Sequence, residues 1–301
     1  MSRLAVLVPG GTGQLGSDLA AASTDDVEVT APGSAELDVT RAGAVVEAVA
    51  ALAGRANKDG RFPVVVNASA YTAVDAAEDD EARAFAVNAD GPRVLAAACS
   101  SWRVPLVHVS TDYVFAGDAE SPYLPGDPLS PRSAYGRTKA AGEDAVLGSG
   151  ASAWVVRTAW VYGERGGNFV KTMTRLESER DVVSVVDDQR GSPTWSADLA
   201  AGLLELAGKI ADGEAPSSRV LHCTGGGETT WFEFARAIFE ELGADPERVK
   251  PCTTAEFPRP AARPAYSVLS AEPWREAGLT PPRPWRDALS AYFARASAAR
   301  R

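Results

Sequence analysis

A glycine-rich loop lies between an apolar run at residues 4–8 and a helical stretch at about 14–22, and its glycines are Gly10, Gly13 and Gly16. A short run that is apolar throughout predicts a strand buried on both faces of a parallel sheet. Glycines between such a strand and a helix allow a tight turn, and they let a pyrophosphate approach the N-terminus of the helix. This context predicts a dinucleotide-binding α/β fold.

The alternation of strands and helices continues to about residue 157. Apolar runs typical of buried strands recur at residues 64–68, 106–110 and 154–157. Helical stretches lie between them, at about 42–53, 81–101 and 133–147. This order predicts an α/β fold of the Rossmann type, with a doubly wound parallel sheet.

The alternation breaks after residue 157, where turn-rich segments and a proline-dense tract at 258–264 appear. We expect two later helices, at residues 231–242 and 285–296, and a frayed tail at 298–301. The chain is predicted to form an NAD(P)-binding domain over residues 1–157 and a smaller C-terminal substrate-binding lobe, mainly over 158–301. Later segments are expected to return and complete the sheet, so the domain boundary is discontinuous.

Composition argues against several classes of protein. The net charge of −10 is unlike that of a nucleic-acid-binding protein, which carries a basic patch. Cys99, Cys223 and Cys252 are odd in number and form no CxxC pair, so we expect neither a disulfide framework nor a zinc site. No apolar run approaches the ~18 residues that span a membrane, and no signal-peptide pattern precedes the first strand. We expect a cytoplasmic protein with no nucleic-acid or membrane partner, and we leave a homodimer open.

Tyr135 and Lys139 lie four residues apart in a helical stretch, and therefore on one face of the helix. An ammonium close to a phenol lowers the pKa of the phenol, which suits Tyr135 to proton transfer near neutral pH. Ser110 and Thr111 follow a strand, at the edge where open α/β sheets bind ligands, and either hydroxyl could polarise a substrate carbonyl. Together with the glycine loop, these residues predict a nicotinamide-dependent carbonyl reductase.

The second strand, at residues 27–29, ends without the carboxylate that would bind the ribose hydroxyls and repel a 2′-phosphate. The residues that follow it contain no arginine to select that phosphate. We therefore expect NADPH as the cofactor, with NADH also accepted. Asp38, followed by Val39, is placed to meet the adenine edge, although Asp38 could equally belong to the N-cap of the next helix.

Other polar residues are predicted to have structural roles. His108 and His222 lie in strand patterns and are expected to be core or strand-end residues. The acidic run at 75–81 is expected to be a solvated helix start. Because no metal-binding spacing of His, Asp or Glu is present, we predict no metal ion.

The chain resembles the dTDP-4-dehydrorhamnose reductases, a branch of the extended short-chain dehydrogenase/reductases, over nearly its whole length. The glycine loop and YxxxK are shared with the wider superfamily, whereas STDYVF, DDQxGxPT and RPxxSxL are specific to the sugar-nucleotide branch. The segments that carry the resemblance are GGTGQLG at 10–16, VVNASAYTAVDAAE at 65–78, VNADGP at 87–92, STDYVFAGD at 110–118, YGRTKAAGE at 135–143, RTAWVYG at 157–163, NF at 168–169, VVDDQRGSPTWSADLA at 185–200 and RPAYSVLS at 263–270.

The resemblance implies a catalytic triad in which Thr111 orients the carbonyl, Tyr135 protonates the C4 oxygen, and Lys139 binds the nicotinamide ribose. The cofactor residues it implies, besides Tyr135 and Lys139, are Gly10, Gly13, Gln14, Leu15, Gly16, Asp38, Val39, Ala68, Ser69 and Ala70. The residues it implies around the deoxysugar are Thr72, Val74, Asp112, Tyr113 and Trp160. Those implied at the nucleotide end are Asn168, Gln189 and Arg263. Arg263 suits a diphosphate, although it could be a surface residue, and Trp160 could equally pack in the core.

The resemblance implies reduction of the C4 ketone of dTDP-4-dehydro-L-rhamnose, the last step in making dTDP-L-rhamnose. One alternative is a reductase for another dTDP-4-keto-6-deoxysugar of an antibiotic, including a ring-contracting variant of the dihydrostreptose type. Another is a regulatory subunit that binds NADP(H) without catalysis. The complete set of Thr111, Tyr135 and Lys139 argues against that second alternative.

Overall fold

The computed structural model describes residues 2–298, so most of the tail that we expect to fray lies outside the described residues. The strands in chain order are β1 (Leu4–Leu7), β2 (Val27–Thr30), β3 (Phe62–Asn67), β4 (Leu106–Thr111), β5 (Ala153–Thr158), β6 (Val161–Tyr162), β7 (Val183–Val186), β8 (Arg190–Gly191), β9 (Thr194–Trp195), β10 (Val220–His222), β11 (Thr229–Thr230) and β12 (Val249–Cys252). The α-helices are α1 (Gln14–Ala21), α2 (Ala42–Asp59), α3 (Ala76–Asp79), α4 (Glu81–Phe85), α5 (Gly91–Trp102), α6 (Ala134–Leu147), α7 (Phe169–Glu179), α8 (Ser196–Ala211), α9 (Trp231–Glu241), α10 (Glu272–Glu276) and α11 (Trp285–Ala298).

Six strands form one parallel sheet in the order β10–β5–β4–β3–β1–β2. The predicted α/β fold of the Rossmann type is confirmed. The chain runs outward from β1 in both directions, so the switch point of the sheet lies between β1 and β3. Ligands of open α/β sheets bind in the crevice at such a point, beyond the carboxyl ends of the strands.

Helices cover both faces of the sheet, which explains why its strands are apolar throughout. One face is buried against α1 and α8 through residues that include Leu19, Leu199 and Leu203, with Trp274 of α10 in the same cluster. The other face is buried against α2 and α5 through Val45, Leu52 and Leu95, among others. The late segments β10 and α8 thus belong with the first half of the chain.

A third apolar cluster lies outside the sheet and is built from α7, α9 and α11. It contains Tyr162, Val170, Phe234, Ile238 and Leu289, all of them buried. Strands β7 and β12 pair in parallel beside it, and β8 pairs antiparallel with β11. We propose that this cluster is the core of the substrate-binding lobe.

Several helices differ from their predicted extents. Helix α2 continues to Asp59 and ends at Gly60, which has a left-handed φ of +61°. The helix predicted over 81–101 is interrupted by a π-helix at Ala86–Asp90. Helix α7 was not predicted, although its apolar residues lie at helical spacing and pack in the third cluster, namely Phe169, Val170, Met173 and Leu176. No helix within residues 2–298 has the length and apolar character needed to cross a membrane.

Candidate active site

The glycine loop connects β1 to α1 and packs directly against the backbone that follows β3. Gly10 has a φ of +87°, and a Cβ added there would lie 2.8 Å from both the Cα and the backbone N of Ser69. Only glycine accepts both that conformation and that close approach. The loop and the end of β3 therefore meet at the switch point of the sheet.

The start of α1 is suited to bind an anion. Its N-cap residue, Gly13, has no side chain that could cap the first N–H groups of the helix, and the first turn contains no acidic residue. The first N–H groups of a helix lack intrahelical partners, and the helix dipole favours negative charge there. Gln14 begins the helix, and Leu15 and Gly16 are buried. The pyrophosphate of a dinucleotide fits this helix N-terminus.

Three half-buried residues predicted to line the cofactor follow β3, namely Ala68, Ser69 and Ala70. Asn67 fixes their backbone, because its side-chain oxygen accepts hydrogen bonds from the N–H of Ser69 at 3.1 Å and from its hydroxyl at 2.6 Å. The amide nitrogen of Asn67 lies 3.0 Å from Nδ1 of His108. Burial holds the pKa of His108 well below its usual range and lowers that of His222 to about 3. Both histidines are neutral buried residues, as predicted.

Asp38 lies between β2 and α2, and its carboxylate accepts hydrogen bonds from the N–H and hydroxyl of Thr40 at 2.9 and 2.7 Å. These bonds hold the pKa of Asp38 below its usual range. Val39 beside it is buried. The residues that follow β2 contain no arginine, but Nη2 of Arg55 on α2 donates to the Thr30 hydroxyl at the end of β2, at 2.8 Å. Local sequence could not reveal this contact, since the two residues are 25 positions apart.

Thr111 and Tyr135, two of the predicted catalytic residues, meet at the carboxyl end of β4. Thr111 ends β4, and Tyr135 lies in the first turn of α6, where the Ser133 hydroxyl oxygen accepts a 3.1 Å hydrogen bond from the Gly136 N–H. A Cβ at Gly136 would lie 2.2 Å from the carbonyl oxygen of Tyr113, so α6 closely approaches the turn after β4. This approach brings the Tyr135 phenol close to the Thr111 hydroxyl.

The structure corrects the expected effect of Lys139 on Tyr135. Nζ of Lys139 donates to the carbonyl oxygen of Val109 at 2.7 Å, and the side chain is buried. Burial raises the pKa of Tyr135 to about 12, against the opposing effect of its hydrogen bond with Thr111. Burial also lowers the pKa of Lys139 to about 8. Desolvation therefore has the largest effect on the pKa of the Tyr135 phenol, because the Lys139 ammonium is directed at the backbone of β4.

The structure distinguishes the two candidate hydroxyls at the end of β4. Ser110 is buried, and its hydroxyl has no hydrogen-bond partner among the described residues. Thr111 contacts Tyr135 and donates a 2.9 Å hydrogen bond to Oδ1 of Asp112. The geometry therefore favours Thr111 as the hydroxyl that acts with Tyr135.

Two predicted substrate residues, Asp112 and Tyr113, continue directly from β4. Asp112 is buried, and burial raises the pKa of its carboxyl group to about 6 despite hydrogen bonds from Ser267 and Thr111. The ring of Tyr113 meets that of Tyr135 edge to face, with the ring centroids 5.6 Å apart. Tyr113 thus extends the wall of the site beyond the catalytic phenol.

Trp160 combines a left-handed backbone with close ring packing. Its φ is +47°, and its ring stacks on that of Trp231 with the centroids 3.5 Å apart. On another side, a Cβ at Gly191 would lie 2.4 Å from the Trp160 ring. A left-handed conformation in a bulky, half-buried residue is unusual and often marks a functional site. Contact between Trp160 and the sugar stays a proposal.

Asn168 lies beside the glycine loop. It caps α7 by accepting a hydrogen bond from the Lys171 N–H, and its amide nitrogen donates to the side-chain oxygen of Gln14 at 3.0 Å. The same nitrogen donates to the carbonyl oxygen of Gly163 at 2.8 Å. The resemblance implied a position at the nucleotide end of the substrate, whereas these contacts join Asn168 to the cofactor side.

The remaining predicted substrate residues lie in three different segments. Thr72 is exposed and Val74 is half-buried, both in the connection between β3 and α3. Gln189 is buried and donates a 2.9 Å hydrogen bond to the hydroxyl of Thr254. Arg263 lines a small crevice with Tyr113, and its side chain is 16% exposed. Their contacts with substrate stay proposals.

The acidic run at 75–81 contains helix starts, as the sequence predicts, since α3 begins at Ala76 and α4 at Glu81, but two of its carboxylates are not simply solvated and contact α6. The carboxylate of Glu78 accepts a 2.8 Å hydrogen bond from the N–H of Ala134, the first residue of α6. Glu81 of α4 forms an ion pair with Arg137 of α6 at 2.8 Å. This run therefore holds the helix that carries Tyr135 and Lys139. The partners lie 56 residues away in the chain, so local sequence gives no sign of them.

Two further positioning residues were missed by sequence reasoning, although both lie in the motifs quoted above. Glu143 of α6 and Arg157 of β5 form a buried bidentate ion pair, with N–O distances of 2.9 and 2.6 Å. Their side chains are only 1% and 3% exposed. The pair joins the catalytic helix to the sheet.

Asn88 in the π-helix is another residue that sequence reasoning missed. Its side chain is buried, accepts a 2.8 Å hydrogen bond from the N–H of Tyr71, and donates a 3.1 Å bond to the hydroxyl of Thr138 on α6. The motif VNADGP, which contains Asn88, was the available sequence signal for this residue. The π-helix agrees with that signal, since π-helices frequently occur at functional sites.

Comparison with known proteins identifies the family of the chain. The family model described as RmlD substrate binding domain matches residues 4–298. A dTDP-4-dehydrorhamnose reductase of Mycobacterium tuberculosis is 49% identical over 295 residues, which cover 96% of this chain and 92% of the relative. A probable dTDP-4,6-dihydroxy-2-methyloxan-3-one 4-ketoreductase of Streptomyces antibioticus is 48% identical over 95% of this chain and 94% of that protein.

Solved structures give the same result. The crystal structure of dTDP-4-dehydrorhamnose reductase from Bacillus anthracis in complex with NADP superposes with a TM-score of 0.89 at 34% identity, over 97% of this chain and 99% of that one. The family model, which matches residues 4–298, covers both the parallel sheet and the third apolar cluster. The chain therefore belongs to the dTDP-4-dehydrorhamnose reductase family, the proteins with an RmlD substrate binding domain.

Proposed function

We propose that this protein reduces the C4 ketone of dTDP-4-dehydro-L-rhamnose to give dTDP-L-rhamnose, with NADPH as the hydride donor. The observation that carries the proposal is the contact between the Thr111 hydroxyl and the Tyr135 phenol, beside a helix N-terminus suited to a pyrophosphate. The names of the relatives at 48–49% identity support the choice of substrate.

The protonation state of Tyr135 favours the direction of reduction. With a pKa raised to about 12, the phenol carries its proton at neutral pH and is therefore ready to act as an acid. Thr111 would orient the carbonyl, and Tyr135 would give its proton to the C4 oxygen as that oxygen gains negative charge. Bound NADPH would supply the hydride to C4. The buried Lys139 donates a hydrogen bond to the carbonyl oxygen of Val109, and its ammonium would bind the nicotinamide ribose of the cofactor.

A second candidate is reduction of a different dTDP-linked keto-deoxysugar. The relative from Streptomyces antibioticus favours it, because that protein is named as a probable 4-ketoreductase for another sugar and has nearly the same identity to this chain. Oxidation of NADPH, followed at 340 nm with several dTDP-4-keto-6-deoxysugars, separates the candidates by kcat/KM. NMR of the product then distinguishes a six-membered ring from a contracted one.

The cofactor preference is expected to be moderate. The end of β2 has no carboxylate that would repel the 2′-phosphate of NADPH. The guanidinium of Arg55 beside Thr30 adds positive charge there, which favours NADPH. Glu28 partly offsets this charge, because it pairs with the same guanidinium at 3.2 Å. We expect both cofactors to support turnover, with NADPH favoured by less than about a hundredfold, or 2.7 kcal/mol. Arg55→Met should reduce that ratio towards one, as measured by kcat/KM with each cofactor. A strong preference for NADH in the wild-type protein would contradict this account of the adenosine pocket.

We further propose that the protein acts in the cytoplasm on a small-molecule substrate. A homodimer is proposed as its assembly, and sedimentation of the purified protein tests it.

A further inference from the structure

The loop that contains Arg259, Ala261 and Arg263 wraps around a single carboxylate, that of Asp75. Oδ1 of Asp75 accepts a 2.8 Å hydrogen bond from Arg263 and a 3.3 Å bond from the backbone N–H of Ala261. Oδ2 pairs with the guanidinium of Arg259 at 3.1 Å. Three donors from five consecutive residues therefore converge on one anion.

A phosphate group would also accept hydrogen bonds from these three donors. Guanidinium groups and a backbone N–H are common ligands of phosphate oxygens, and arginine binds them with charge-assisted hydrogen bonds. Asp75 is 26% exposed and Arg259 is 48% exposed, so solvent reaches the ion pairs. Partly exposed pairs contribute little to stability and can exchange one anion for another.

The position of the loop relates these donors to the active site. Arg263 and Ser133 line a crevice with Tyr113, whose ring packs against Tyr135. The crevice has a volume of only about 30 Å³, which is room for one or two water molecules. The contacts with Asp75 thus hold Arg263 beside the Tyr113 ring, next to the site that contains Tyr135.

We propose that Asp75 is a specificity-determining residue that competes with the diphosphate of the substrate for Arg263 and Arg259. The inference rests on the proposed function, because it takes the ligand to be a nucleoside diphosphate sugar. Asp75 satisfies the two guanidiniums when no diphosphate is bound. An incoming diphosphate displaces the Asp75 carboxylate and takes over the same donors. Ligands without this charge leave the ion pairs with Asp75 intact.

The test is the affinity of the whole protein for dTDP, measured by calorimetry at constant ionic strength. Asp75→Asn removes the competing charge, so we expect it to bind dTDP about tenfold more tightly, given the energy of one charge a few ångströms away in a medium between protein and water. Arg263→Ala should weaken dTDP binding, and adding Asp75→Asn to it should restore little. Glu247→Gln is a matched control, because it removes one charge from an ion pair with Arg236 in the C-terminal lobe and should leave dTDP affinity unchanged.

Titration with NADPH separates the substrate diphosphate from the cofactor pyrophosphate, and its affinity should be the same in all these variants. Asp75→Ala provides a second variant, and thermal unfolding checks that each one is folded. Unchanged or weaker dTDP binding by folded Asp75 variants would overturn the inference, and so would unchanged binding by Arg263→Ala. Absence of dTDP binding by the wild-type protein would overturn the proposed substrate as well. If dTDP binds as described but no ketosugar is reduced, the proposed function fails and the role of Asp75 stands.

Discussion

Tyr135→Phe is expected to fold normally and to lose about 10²–10⁴-fold in kcat, the usual contribution of general acid catalysis. The substitution removes only the phenolic oxygen and its proton, which contacts the Thr111 hydroxyl in the structure. Because the Tyr135 ring stays against the ring of Tyr113, the wall of the site is kept. Steady-state kinetics with a dTDP-4-keto-6-deoxysugar and NADPH measures the loss.

Two controls establish that the loss is chemical. The affinity of Tyr135→Phe for NADPH, measured by fluorescence, should differ little from that of the wild-type protein. Its melting temperature should be the same or higher, since a buried hydroxyl has been removed. A variant that keeps near-wild-type kcat would show that Tyr135 is not the proton donor.

Glu143→Gln is expected to lower the free energy of unfolding by about 3–5 kcal/mol, the usual effect of breaking a buried ion pair. The guanidinium of Arg157 is 3% exposed, and its remaining partner is the carbonyl oxygen of Pro125 at 3.0 Å. The substitution therefore leaves a buried positive charge without its carboxylate. Urea unfolding followed by circular dichroism measures the change.

Glu81→Gln is the matched control for this effect. Glu81 also pairs with an arginine of α6, Arg137, but the two side chains are 43% and 46% exposed. Exposed pairs typically contribute about 0–1 kcal/mol, so this variant should unfold at nearly the wild-type urea concentration. Equal losses in the two variants would contradict the distinction between the buried and the exposed pair.

The sheet could be predicted from the sequence because its signals are local. The apolar run at Leu4–Leu7 and the glycines after it specify strand, turn and helix within about twenty residues. The π-helix at Ala86–Asp90 could not be predicted, because tertiary contacts such as those of Asn88 rather than a local pattern stabilise it.

The candidate catalytic residues could be proposed from the sequence because Tyr135 and Lys139 share a helix and Thr111 ends a strand. Contacts between distant segments could not be identified. Asp75 and Arg263 are 188 residues apart, and no local pattern relates them. The pKa of Tyr135 was also predicted in the wrong direction, because spacing on a helix gives no measure of burial.

The most direct test of the proposed activity is to follow deuterium from NADPH labelled at the transferred position into the sugar product by NMR. With dTDP-4-dehydro-L-rhamnose as the substrate, we expect the wild-type protein to form dTDP-L-rhamnose that carries deuterium at C4 of a six-membered ring. We expect Tyr135→Phe to form no such product in the same time. Deuterium at another carbon, a contracted ring, or no transfer at all by the wild-type protein would contradict it.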